Sequence, residues 1–127
     1  CHTGALIFPI WRHELTVARN HYLHVAQYLI DFLSIAFQYM QNWLMAKYAS
    51  AVALNKALES NRNFYGLCVA YTNMIDVAYH YKDLNTCAKM EICAVDLCKR
   101  CRKKIIEVYE LEAIGRLYKV IFQARYF

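Results

Sequence analysis

The sequence predicts an all-α chain of antiparallel helix pairs, about six helices forming one domain, and three observations carry that expectation. The 127 residues include only three glycines and one proline, while Ala, Leu, Tyr, Lys and Glu abound, so few positions force a helix to stop. Polar cap-forming residues interrupt the chain near Asn42, at Ser60 to Asn63, at Asp83 and around Arg102 to Lys104. A pattern of aromatic residues, a bend and small residues also occurs twice.

The first helix is expected over about residues 5 to 18, where Pro9 restricts Phe8 and can kink or delay the start until Ile10. Further helices follow at about 21 to 40, 43 to 59, 63 to 81, 84 to 101 and 105 to 126. Asn42 and Asp83 open the third and fifth of these six, because a short Asn or Asp side chain accepts hydrogen bonds from the free amides of a first turn.

Ile35 to Trp43 is echoed by Val77 to Leu84, with one residue fewer at the bend. After the bend, Ala46 and Ala53 correspond to Cys87 and Ala94, each pair nearly two helical turns apart and so on one face. Small side chains there let the second helix of a pair approach the first, and aromatics on the first fill the space between.

This order of residues resembles the tetratricopeptide repeat in its long-helix variety. Leu33, Ser34, Phe37, Asn42-Trp43, Ala46 and Ala53 follow the motif in one copy, and Ile75, Asp76, Tyr79, Asp83-Leu84, Cys87 and Ala94 in the next. Ile114, Gly115 and Tyr118 begin a third. The resemblance implies a right-handed α-solenoid: a leading helix over 1–20, repeats over 21–60 and 61–104, and half a repeat over 105–127. It also implies a scaffold that binds a protein or peptide on its concave face. Carrying the family's inward-facing positions onto this chain gives Asp31, Gln38 and Tyr39, then Asn73, His80 and Tyr81, then Glu112, Arg116 and Lys119. Amides would hold a peptide backbone, Arg and Lys would pair with carboxylates, and Tyr would add apolar contact, which suits an acidic segment.

Hydrophobic residues make up 59% of the chain, above the roughly 45–50% of a soluble globular domain, so a surplus needs covering. Both ends are apolar, at Ala5 to Phe8 and Tyr118 to Phe122, and the chain opens on Cys1. A piece of a longer array is expected, its end helices meeting neighbouring repeats or a second copy. A sensory or dimerising part of a larger transcriptional regulator is the alternative.

A membrane role is not expected. Val25 to Ala46 holds one formal charge, Asp31, but Gln27, Gln38, Gln41 and Asn42 recur along it. The net charge of +5 gathers largely in Lys99 to Lys104, which reads as a solvated helix end rather than a nucleic-acid site. Cys98 and Cys101 lie a turn apart and would need two more ligands to hold zinc, with Cys68 and His80 as nominal candidates. The six cysteines instead read as mostly buried thiols in a reducing, cytoplasmic setting, with a metal-binding Cys-rich helix as the minor alternative. His21 and His24 read as surface residues. Neither a phosphate loop nor a nucleophile motif occurs, so no enzyme, cofactor or metal is expected.

Overall fold

The computed structural model describes residues 2–59, 64–101 and 105–126, with side chains at 14–19, 21–22, 25–59, 64–101 and 105–126. Its described residues form five helices and no strand: α1 (His2–Tyr39), α2 (Trp43–Glu59), α3 (Phe64–His80), α4 (Leu84–Arg100) and α5 (Val108–Tyr126). The breaks expected at Ser60 to Asn63 and Arg102 to Lys104 lie outside the described residues.

The segments expected as separate helices at about 5–18 and 21–40 are one helix, α1. Ala18-Arg19-Asn20-His21 contains no Gly or Pro, and an Asn inside a helix costs less than about 1 kcal/mol, so the turns continue. The helix also runs through Pro9, whose missing N–H removes a bond near the amino-terminal end. In α5 the first turn starts at Val108, because the Glu110 carboxylate accepts from the Glu107 N–H at 3.1 Å and makes Glu107 the cap. Ile105 and Ile106 therefore stay outside the helix.

The bends after α1 and α3 are built alike. The Asn42 amide donates to the Phe37 carbonyl and the Gln41 amide to Gln38. The Asp83 amide donates to Ala78 and the Lys82 amide to Tyr79, the same two bonds 41 residues on (42 to 83, 41 to 82). Gln41 and Lys82 sit at φ 61° and 58°, the left-handed residue of this carboxyl-terminal cap. Side-chain contacts offset the cost of that conformation: Gln41 Oε1 accepts from Trp43 Nε1 at 3.2 Å, and Lys82 Nζ lies 4.1 Å from the Tyr79 ring centroid. The next residue closes one helix and opens another, with Asn42 Oδ1 accepting from the Met45 amide and Asp83 Oδ1 from the Thr86 amide. The one-residue difference expected at the bend is thus absent, and Phe37 stands opposite Ala78 in the repeat while Gln38 matches Tyr79.

Helix directions follow from cross-helix pairs. Ser34 Oγ donates to the Ala46 carbonyl while Arg19 faces Glu59, so α1 and α2 are antiparallel. Gln27 meets the Gly66 carbonyl and Gln38 meets Asn73, so α1 and α3 run the same way. The central helix is α3, which packs on each of the other four, while α1 also packs on α2 and α5 on α4. Its side chains Leu67, Cys68, Tyr71, Ile75 and Ala78 join Leu54, Cys87, Ala94, Leu117 and Ile121 in the core. Ala46, Ala53, Cys87 and Ala94 are all buried, as close approach of paired helices requires. No described helix is long and apolar enough to cross a membrane.

Gly115 faces open space: a Cβ added there would meet no atom within 4 Å. In a helix interior that makes Gly115→Ala stabilising by about 0.5–1 kcal/mol. A urea titration should show a higher midpoint; a lower one would mean that another element rests on this face of α5.

Candidate functional site

Gln27, Asp31, Ser34 and Gln38 recur every three or four residues and share one face of α1. That face turns inward, and Gln27, Asp31 and Ser34 are buried. The Asp31 carboxylate accepts from Gln27 Nε2 through Oδ2 and from Asn73 Nδ2 through Oδ1, the latter at 3.3 Å. Gln38 Nε2 donates to Asn73 Oδ1 at 3.4 Å, and Gln27 Nε2 also reaches the Gly66 carbonyl at 3.3 Å. Burial pushes the Asp31 carboxyl up to about 6, against the opposing pull of the Asn73 and Gln27 hydrogen bonds. Gln27 Oε1 is buried among the described residues without a hydrogen-bond partner.

Above this network lies an open groove of about 660 Å³ between α1, α3 and α5. Ile35, Gln38, Tyr39 and Gln41 form one wall, Val69, Thr72, Asn73 and Asp76 the floor, and Ala113 and Arg116 the other wall. Two opposite charges share it. Burial raises the Asp76 carboxyl above its usual range, and the nearby Lys119 ammonium partly offsets this. Arg116 reaches Glu112 at 3.9 Å in an exposed contact, which leaves its guanidinium weakly held.

Of the nine residues expected at the site, Gln38, Tyr39, Asn73 and Arg116 come together in the groove. Asp31 lies beneath it, spent on holding α1 to α3, and both ends of the Asn73 amide are engaged in the same network. Lys119 acts on the groove through Asp76, and Glu112 through Arg116. His80 and Tyr81 lie outside it, at the bends: His80 stacks on Trp43 with centroids 3.9 Å apart, and Tyr81 meets the His80 ring edge-on and the Lys47 ammonium at 5.5 Å. They are placed there because Trp43, the first residue of α2, takes the ring of His80 at the end of α3, and Tyr81 follows into the bend. The expectation missed Asp76, Thr72 and Gln41. Asp76 left a signal, the one carboxylate in the segment Phe64–His80.

The thiols of Cys68, Cys87, Cys93, Cys98 and Cys101 are free, and burial pushes Cys68 up to about 12, far from a reactive thiolate. Among the described residues no three His, Cys, Asp or Glu side chains gather as metal ligands would.

No family model, no curated protein and no solved structure matches this chain.

Proposed function

We propose that this chain is a scaffold of tetratricopeptide-like helix pairs, arranged as a solenoid, that holds an extended peptide segment in the groove between α1, α3 and α5. The observation that carries the reading is the groove itself, walled by alternate helices and holding both Asp76 and Arg116. The matching bends 41 residues apart (42 to 83) support the repeat.

The groove's charges define the ligand. Arg116, with Lys119 nearby, takes a carboxylate in two-pronged geometry, while Asp76 accepts from a backbone amide or a basic side chain. Tyr39 and Ile35 supply apolar contact along the wall. A strand carrying an acidic residue fits that order.

Selection from a random peptide library tests it, using Arg116→Glu and Tyr39→Ala, whose side chains hold no part of the core. Enriched peptides should contain Asp or Glu and bind with micromolar affinity, and Arg116→Glu should weaken them about tenfold or more at unchanged circular dichroism. If no peptide is enriched, or both variants bind as the parent does, the reading fails. Asn73 is unsuited to the test, since its loss would disturb the buried network.

A further inference from the structure

We infer that the outer face of α1 pairs with the same face of a second copy of this chain, the two α1 helices lying side by side and parallel. The helix is amphipathic in the inverted sense: polar Gln27, Asp31 and Ser34 are buried against α2 and α3, and the apolar residues face out. The outward residues run from Leu15 through Tyr22, Val25, Leu29 and Phe32 to Tyr39. They alternate at steps of three and four, with alanines at the two remaining positions, which is the spacing of a coiled-coil seam over about 36 Å of helix. Exposure is high throughout, at 65% for Leu15, 64% for Tyr22, 62% for Leu29 and 70% for Phe32.

Three observations select a second copy as the occupant. A single helix face is a ridge rather than a groove, so its complement is another helix with the same spacing, which this chain supplies. The exposed part of the seam amounts to roughly 700 Å² per chain, hence about 1,400 Å² for a pair, inside the range of stable specific interfaces. Charge then sets direction. A parallel pair places Glu14 of each chain against Arg19 of the other, five residues along, on both sides of a two-fold axis. An antiparallel overlay of the same seam would set both charges beside the apolar stretch near Ile35 and Met40. Among the described residues Arg19 pairs with Glu59 at 3.8 Å in an exposed contact, weak enough to be exchanged for Glu14 of the second copy. A lipid surface is disfavoured, because the polar face of α1 that would meet headgroups is buried at Gln27, Asp31 and Ser34, and no Lys or Arg stands between Arg19 and Lys47.

Light scattering and sedimentation equilibrium of the full chain test the pairing. The chain should have twice its formula mass at low-micromolar concentration, and Leu29→Glu or Phe32→Glu should raise the dissociation constant about a hundredfold with helicity unchanged. Should either variant unfold, the neutral pair Val25→Gln with Phe32→Gln is measured in its place and is expected to weaken the dimer in the same direction. Arg19→Glu should loosen it several-fold, and adding Glu14→Arg should restore it; no restoration would overturn the parallel arrangement. A parent chain that stays monomeric at roughly 100 µM overturns the inference, since that concentration exceeds the dissociation constants expected of such an interface. So does a dimer indifferent to the α1 variants, and so does growth into longer assemblies blocked by Tyr118→Glu or Phe122→Glu on α5. Leu29 and Phe32 lie outside the peptide groove and Arg116 lies outside the seam, so these variants keep the two results separate, whereas Tyr39 borders both surfaces.

Discussion

Ile75→Ala is expected to cost about 2–5 kcal/mol, a large part of the roughly 5–15 kcal/mol that holds a domain of this size. Ile75 is fully buried on α3, the helix on which the other four pack. Its backbone carbonyl is also contacted by the Cys87 Sγ at 3.8 Å, so the residue sits where α3 and α4 meet. Truncation removes three carbons from a cluster that includes Tyr71, Ala78, Leu117 and Ile121, and the lining cannot close the void without pulling helices together. Ile75→Val should cost about 0.5–1.5 kcal/mol, and Ile92→Ala, at a residue 70% exposed on α4, should fall within about 0.5 kcal/mol of zero. Urea unfolding at one fixed protein concentration gives the comparison, with the midpoint moving and the slope unchanged. Equal losses at Ile75 and Ile92 would contradict the central place of α3.

Much of this arrangement was legible from short-range chemistry. Asn42 and Asp83 marked the bends because an amide or carboxylate one residue past a left-handed position can both end one helix and cap the next. The small residues that let paired helices approach were legible for the same local reason. The register before the bend was not, because the aromatics Phe37 and Tyr79 look equivalent although the backbone bonds pair Phe37 with Ala78. Large half-buried rings fill space from several backbone positions, whereas a cap bond tolerates only one.

The groove was half legible, and the division has a physical cause. A one-dimensional pattern can say that Asp31, Gln38 and Asn73 lie on inward faces, but only the distance between α1 and α3 decides whether a polar side chain meets a ligand or the neighbouring helix. Asn73 reaches both Asp31, at 3.3 Å, and Gln38, at 3.4 Å, but Asp31 is buried beneath that contact whereas Gln38 and Asn73 also line the open groove. His80 and Tyr81 lie elsewhere for a different reason: the Trp43 ring of α2 takes the His80 ring, and Tyr81 meets that ring edge-on.

The buried end of that network leads to the second large effect. The protein should lose stability as pH rises from about 4 to 6, and Asp31→Asn should abolish that part of the loss. Asp31 ionises near 3.8 when unfolded and at about 6 in the fold, so between those values the folded chain keeps a proton that the unfolded chain gives up. Below the lower value both states hold the proton, and above the upper one neither does. Stability therefore falls across this interval and then levels, by on the order of 3 kcal/mol in all at about 1.4 kcal/mol per pH unit. The neutral amide that Asp31→Asn introduces escapes that penalty. It can keep its oxygen toward Asn73 and turn its NH2 toward Gln27, whose Oε1 has no partner among the described residues of the parent. Denaturation of both chains at pH 4, 5, 6 and 7 separates Asp31 from Asp76, which titrates with the same sign, because only the difference between the chains reports residue 31. The variant should match the parent near pH 4 and exceed it at pH 7. Parallel curves would mean that the carboxylate is already well solvated in the fold, and that α1 and α3 stand farther apart than the Asp31–Asn73 bond requires.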